Sequence, residues 1–290
     1  MIDNYLLEEL ATFAQTGTLA ETAKQLNVTQ PTVTRGMQKL EDALNVRLFD
    51  RQPNRIALTA TGELAANEAA QLLAAQTQFV TKVQNFDRQQ HEGTIGATIP
   101  GPLLMLHALK SQLPSHTRVN AELQSADNLV ALLDSNAFTL IFTNQEISTP
   151  TVESRFIGTE NLAVNLDQFM YQANQTSVSF NDLKGLSFVV LGAIGPWRDI
   201  IQKAIPDATF MYQAEQEAMK QLTTYANFPY FTSNLSMLDP GFRQQLKEDD
   251  RVNLPITDES AHMPIYASYL KTEKRRVATV IQMMGAQWPQ

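Results

Sequence analysis

Between Leu19 and Arg35 the chain reads Leu19-Ala20-Glu21-Thr22-Ala23-Lys24-Gln25-Leu26-Asn27-Val28-Thr29-Gln30-Pro31-Thr32-Val33-Thr34-Arg35, and no other stretch constrains its fold as much. Two helical patterns meet here at a polar turn. Ala23 is small where crossing helices must approach closely, and Leu26 and Val28 flank the turn. Thr29 suits the N-cap of the second helix, because its hydroxyl can accept a free backbone N–H. Pro31 falls in that helix's first turn, where its missing N–H costs little. Val33, Met37, Leu40 and Leu44 then recur at spacings of four, three and four, which is one apolar face of a helix. Gln30, Thr32, Thr34, Arg35 and Gln38 are left on the other faces. A helix held by a buried stripe, with short polar and Arg side chains outward, is suited to reading base edges in a DNA groove.

The pattern continues past Arg35. Leu40-Glu41, Leu48-Phe49-Asp50-Arg51 and Leu58-Thr59-Ala60-Thr61-Gly62 follow in order. Joined to Phe13, Gly17, Thr18, Ala20, Ala23, Leu26, Val28, Gln30, Pro31, Val33, Arg35 and Leu44, these residues resemble the LysR-type transcriptional regulators. Thr18 and Thr34 stand where that family usually has Ser, and Asn45 stands where Gly is usual before the wing. Asn tolerates positive φ better than most residues, so the turn is expected to survive. Close motif resemblance covers about the first 65 residues, and beyond them it rests on layout.

The resemblance implies an α/β chain in three parts. Residues 1–59 would form a winged helix-turn-helix DNA-binding domain and residues 60–90 a linker and dimerisation helix. Residues 91–290 would form a two-lobed, periplasmic-binding-protein-like effector domain, with lobe I at about 91–162 and 268–290 and lobe II at about 163–267. It also places Gln30, Pro31, Thr34 and Arg35 toward the DNA groove, with Thr32 adjacent. Gln30 can pair with adenine, Arg35 with guanine or phosphate, and Pro31 can touch a thymine methyl. Thr18, opening the preceding helix, can offer hydroxyl and N–H to a phosphate. Arg51 and Arg55 on the wing suit phosphate or the minor groove. Lys24, Lys39 and Arg47 are equally well read as solvated surface charges.

A net charge of −8 fits DNA binding only if it is unevenly spread. Residues 20–58 carry six basic side chains (Lys24, Arg35, Lys39, Arg47, Arg51, Arg55) against four acidic ones (Glu21, Glu41, Asp42, Asp50), whereas residues 91–290 carry 14 basic against 20 acidic. A mildly basic head can meet phosphate while an acidic remainder limits nonspecific adhesion. The 290 residues suffice for two domains and a connector. The absence of cysteine removes disulfides, thiolate metal sites and thiol chemistry. There is no long apolar run, and the Met1-Ile2-Asp3-Asn4 start lacks the form of a signal peptide. The expected location is the cytoplasm, with no membrane contact.

Along the chain, a helix over about Asn4–Gln15 carries Leu6, Leu7, Leu10, Ala11 and Phe13/Ala14 on one side. After the helix-turn-helix, Arg47–Arg51 and Arg55–Leu58 read as a hairpin around Gln52-Pro53-Asn54. Thr59 or Thr61 would cap a long helix reaching about Arg88, striped by Ala65, Ala69, Leu72, Gln76, Phe79, Val83 and Phe86. Ala65, Ala69, Leu72, Phe79 and Val83 are the dimerisation candidates, giving a homodimer or homotetramer. Packing of this stripe on its own chain is the alternative. Two-fold pairing would match an interrupted, palindromic operator.

His91-Glu92-Gly93 reads as a linker. Strand and helix patterns then alternate: Thr94–Ile99, Pro102–Gln112, Thr117–Leu123, Asn128–Leu133 and Phe138–Phe142, and later Leu186–Leu191, Trp197–Ala204, Ala208–Tyr212, Glu215–Tyr225 and Phe228–Phe231. Such alternation implies parallel sheets in two lobes. The resemblance adds a crossing near residues 160–166, a return near 263–270, and a last helix within Lys271–Gln290.

A cleft between lobes lies beyond the carboxyl ends of the strands. Its candidate rim comprises Pro100, Gly101, Ser125, Thr143, Asn144, Gly195, Trp197, Arg198 and Thr232. Helix N-termini at Pro102 and Pro196 would favour an anion, with Arg198 the nearest cation and Trp197 available to stack. Alternatively, the Pro and Gly residues merely turn the chain and Trp197 packs in its lobe.

His91, His107, His116 and His262 are scattered, so neither a metal site nor a cofactor is expected. Gly192-Ala193-Ile194-Gly195 is an incomplete dinucleotide fingerprint, and no nucleophile elbow or P-loop occurs. The expectation is therefore a non-enzymatic regulator that binds double-stranded DNA and a small-molecule effector and acts with RNA polymerase. A second reading keeps the DNA-binding head but makes the C-terminal domain a protein-docking or oligomerising module without an inducer. A third, an enzyme fused to such a head, has no catalytic constellation behind it.

Overall fold

A computed structural model of the chain describes residues 2–52, 55–247 and 249–289. It divides into two compact units, residues 1–84 and 85–290. Among the described residues, no helix is long and apolar enough to cross a membrane.

The first unit contains α1 (Asn4–Thr16), α2 (Leu19–Gln25), α3 (Gln30–Leu44), β1 (Phe49–Gln52), β2 (Arg55–Leu58) and most of α4 (Ala60–His91). Leu6, Leu7, Leu10 and Phe13 of α1 meet Ala23 of α2 and Val33, Met37 and Leu40 of α3 in one core. Phe13 and Phe49 close it edge to face, their centroids 5.2 Å apart. The apolar spacing on α3 holds through Leu40. Leu44 is exposed instead, because α3 ends there and Asn45 turns away at φ 53°, the left-handed turn expected of it. Val28 is also exposed, and Leu26 half-buried. On α1, Ala14 is exposed while Glu9 is buried, so a carboxyl occupies a core position that hydropathy alone assigns to the surface.

Thr29 is the N-cap of α3, with extended backbone, but its hydroxyl bonds Thr32 Oγ1 at 2.9 Å rather than a backbone N–H. The wing pairs antiparallel from Phe49↔Leu58 to Gln52↔Arg55. Of the expected turn, Pro53 and Asn54 lie outside the described residues. Thr59, not Thr61, caps α4, accepting from Gly62 N at 3.0 Å.

The stripe on α4 divides. Ala69 is buried and Ala65 packed in the core of this same unit, so these two face their own chain rather than a partner. Gln76 accepts a hydrogen bond from Asn4 Nδ2 and leaves the stripe as well. Leu72, Phe79, Val83 and Phe86 remain exposed.

The second unit runs β3 (Gly93–Ala97), α5 (Pro100–Ala108), β4 (Thr117–Leu123), α6 (Leu129–Asp134), β5 (Leu140–Thr143) and β6 (Val152–Leu166). Next come β7 (Ser187–Leu191), α7 (Trp197–Ala204), β8 (Thr209–Gln213), α8 (Gln216–Tyr225), β9 (Tyr230–Ser233), α9 (Pro240–Lys247), β10 (Val252–Pro255), β11 (His262–Leu270) and α10 (Lys274–Ala286). The expected linker shrinks to Glu92, since His91 is helical and Gly93 already opens β3. Helix α5 starts at Pro100, earlier than expected, and stops at Ala108, followed by a 3-10 turn at Lys110–Gln112.

The large sheet is mixed, not parallel throughout, and β7 and β8 form a separate two-stranded sheet. Strand β3 pairs parallel with β4 and β5, and β7 with β8. Strand β11, however, runs antiparallel to both β5 and β6, and β6 antiparallel to β9 and β10. Alternating apolar residues identify a strand but carry no information about its direction. Here β6 and β11 carry the chain in opposite senses, which makes their ladder antiparallel. Residues up to Asn161 of β6 pair with β11, whereas Leu162 onward pairs with β9 and β10. The chain therefore passes from one lobe to the other at Asn161 and Leu162. It has returned by His262, ahead of the expected 263–270.

Candidate functional site

On α3, burial of Val33, Gly36, Met37 and Leu40 turns Gln30, Pro31, Thr32 and Arg35 to solvent. Most polar groups of the helix are already committed. Lys39 bonds Asp3 at 2.8 Å and Tyr5 Oη at 3.0 Å. Gln38 donates to Asp42 at 3.0 Å. Thr34 is half-buried and spends its hydroxyl proton on Gln30 O at 3.0 Å, so it can only accept from outside. Thr32 is tied to Thr29. The side chains of Gln30 and Arg35 have no hydrogen bond or ion pair to any described residue, and Arg35 is the one charged side chain of α3 so placed.

Thr18 is the N-cap of α2 and accepts from Glu21 N at 3.3 Å, which leaves its hydroxyl proton available. Thr18, Gln30, Arg51 and Arg55 border one broad concavity between α2 and the wing, of about 1010 Å³. Arg55 is exposed there. Arg51 is not a free arm, because its Nη2 donates to Glu41 Oε2 at 3.0 Å. Glu41 Oε1 accepts from Leu48 N at 2.8 Å and Phe49 N at 3.1 Å, so one buried carboxylate fastens the wing to α3. Glu41 belongs to the Leu40-Glu41 step of the motif, but its role as a clamp is not legible in the sequence.

The second unit contains a cavity of about 180 Å³. Four of the nine rim candidates line it: Pro100, Gly101, Trp197 and Thr232. The other five do not. Ser125 is exposed and accepts from Asp127 N in its own 3-10 turn. Thr143 is buried, accepting from Gln145 N at 3.2 Å, and Asn144 follows it out of the strand. Gly195 has φ +56°, and a Cβ there would sit 3.0 Å from Thr98 O, so it serves the close approach of its loop to β3's end. Arg198 is exposed and stacks over the Tyr212 ring at 4.2 Å, which takes the expected cation away from the cavity.

Glu160, Ser233, Ser236 and Asp239 line the cavity and were not among the candidates. The cavity wall includes no Lys, Arg or His among the described residues. The first turn of α5 is also poor in donors, since Pro100 and Pro102 lack N–H groups. Both observations count against the expected anion. Burial pushes the Glu160 carboxyl above the ordinary carboxylate range, offset in part by the Ser233 hydroxyl and the Trp197 indole N–H. Ser233 Oγ donates to Glu160 Oε1 at 2.6 Å. A signal for Glu160 existed: it occupies an inward position in the alternation Glu160, Leu162, Val164, Leu166, all buried. A carboxyl on that face is costly without a purpose.

A winged helix-turn-helix and a two-lobed α/β unit on one chain define the class of helix-turn-helix regulators with a substrate-binding-type domain. The model for the bacterial regulatory helix-turn-helix protein, lysR family, matches residues 6–63, and that for the LysR substrate binding domain matches residues 87–289. The chain belongs to the LysR family. It is 33% identical over 125 residues to the SDS degradation transcriptional activation protein of Pseudomonas sp. (strain ATCC 19151), covering 42% of this chain and 41% of that one. It is 31% identical over 153 residues to the HTH-type transcriptional regulator BsdA of Bacillus subtilis (strain 168), covering 51% and 52%. The match thus spans about half the length of these relatives or less. The crystal structure of Vibrio fischeri DarR in complex with DNA shares the fold, with a TM-score of 0.58 at 16% identity over 97% of this chain and 98% of that one.

Proposed function

We propose that this protein is a DNA-binding transcriptional regulator that assembles as a homodimer or homotetramer, reads an interrupted inverted repeat, and responds to a small-molecule effector in the cavity of its second unit. The observation that carries the DNA-binding part is on α3, where the apolar face is sunk in the core while Gln30 and Arg35 stand exposed and uncommitted. Arg35 would pair with guanine or phosphate and Gln30 with adenine, Pro31 would touch a thymine methyl, and Thr18 and Arg55 would hold phosphates beside them. The family's members are transcriptional regulators rather than enzymes, and RNA polymerase is the natural partner at a promoter.

The division we propose is a winged head at 1–59, a linker helix at 60–90 and an effector domain at 91–290, its lobe II being about 163–267. The exposed Leu72, Phe79 and Val83 support pairing through the linker. A ligand shifts such a regulator only by binding one arrangement of it more tightly than the other.

The test uses a duplex selected by the full-length protein from a random-sequence pool. Arg35→Ala is expected to weaken binding to that duplex at least tenfold in an anisotropy titration, within what one base-reading contact supplies, roughly 1–3 kcal/mol. Unchanged affinity would remove Arg35 from the contact set.

A further inference from the structure

Two polar atoms in the cavity are incompletely bonded. Glu160 is 3% exposed and Trp197 4%, and both line the space. Among the described residues, Glu160 Oε2 and Trp197 Nε1 make no hydrogen bond of good geometry, although the indole N–H lies near enough to the carboxyl to favour its charged form. The other carboxyl oxygen is engaged: Ser233 Oγ accepts from Ser236 N at 3.2 Å and commits its proton to Glu160 Oε1 at 2.6 Å. Buried polar atoms in folded proteins are nearly always well paired, so two incompletely bonded ones side by side in one cavity point to a partner that completes both. Gly101 keeps the space open beside them, since a Cβ there would come within 2.6 Å of Glu160 Oε2.

The remaining wall decides what kind of partner fits. Leu162, Val190, Ile194 and Phe231 are apolar, and Asp239 is a second carboxyl with no cation on the wall to balance it. A carboxylate ligand would lose its hydration against two carboxyls and gain no counter-charge. A pure hydrocarbon would complete the bonding of neither. An ammonium has donors only, so it would leave the indole N–H without an acceptor. A hydroxyl satisfies both atoms at once: its oxygen accepts from the indole N–H, and it exchanges a hydrogen bond with Glu160 Oε2 whichever of the two holds the proton. The cavity's 180 Å³ suits a molecule of one ring, given that an apolar cavity of about 150 Å³ takes up benzene.

We propose that this cavity binds a small, uncharged, hydroxyl-bearing apolar molecule, its oxygen held between Glu160 and Trp197. This assignment rests on the effector reading above and names the chemical class of that effector.

The test is calorimetric titration of the full-length protein with benzyl alcohol, toluene, benzylamine and benzoate, alongside anisotropy on the selected duplex. Benzyl alcohol is expected to bind at least tenfold more tightly than each of the other three. Trp197→Phe, which keeps a ring but loses the donor, and Glu160→Leu should each erase the preference over toluene while retaining a cooperative melt. Toluene or benzoate binding as well as the alcohol, or no binding by any probe, overturns the hydroxyl assignment. Benzoate that binds and alters DNA affinity overturns the ligand class but leaves effector control standing. Benzyl alcohol that binds as expected without altering DNA affinity supports the class and removes the effector reading.

Discussion

Arg51 and Glu41 are joined at 3.0 Å across the gap between the wing and α3, and the same carboxylate accepts the N–H groups of Leu48 and Phe49. The wing is thereby positioned by a side chain of the helix it flanks. Removing the carboxylate leaves two N–H groups of a buried segment without an acceptor. Glu41→Ala is expected to lower unfolding free energy by about 1–3 kcal/mol for each N–H left unpaired. Arg51→Ala, losing a pair whose Arg side chain is 42% exposed, should cost under about 1 kcal/mol. Urea unfolding of the two variants checks the order, and equal losses would show that the ion pair, not the backbone clamp, carries the contribution.

Glu9 gives the first unit a pH dependence. Its carboxyl is buried, Oε2 has no hydrogen-bond partner among the described residues, and burial pushes its pKa from 4.5 up to about 7. Between those values the folded chain holds a proton that the unfolded chain has released, so the contribution of Glu9 to stability falls as pH rises through that window. Above about pH 7 both states are ionised and the full penalty persists. Glu9→Gln should match the parent near pH 4 and exceed it in melting temperature at pH 8. A pH-independent difference between the two proteins would rule out this titration.

The division of the α4 stripe separates two outcomes that the sequence alone merges. Leu72 and Phe79 are 57% and 68% exposed, whereas Ala69 is in the core of its own unit. Leu72→Glu is expected to shift the sedimentation coefficient toward the monomer while the melt stays cooperative. Ala69→Glu should instead destabilise the fold itself, through overpacking and a buried charge, by several kcal/mol. An oligomer untouched by Leu72→Glu would place the subunit contact elsewhere.

What could be read early was local. Thr18 and Thr29 are helix caps by position, Asn45 takes the positive φ its side chain tolerates, and Val33, Met37 and Leu40 are buried as their spacing requires. Each depends on interactions within one or two helical turns, and those are written in consecutive residues. Pro100, Gly101, Trp197 and Thr232 were likewise found because strand ends and helix starts face a cleft. Ser125, Thr143 and Asn144 met the same criterion and failed it, since a rim position does not reveal which way a side chain turns.

The sequence by itself determined the two-part layout, the helix-turn-helix with its wing, the family, and the outward placement of Gln30 and Arg35. Tertiary structure decided the direction of β6 and β11, the capture of Arg51 by Glu41, the stacking of Arg198 on Tyr212, and the meeting of Glu160 with Ser233, 73 residues away. The physical reason is range. Caps and apolar periodicity act between near neighbours along the chain, whereas the partner of a charge or a buried carboxyl is whichever group the packed strands and helices bring within about 3 Å.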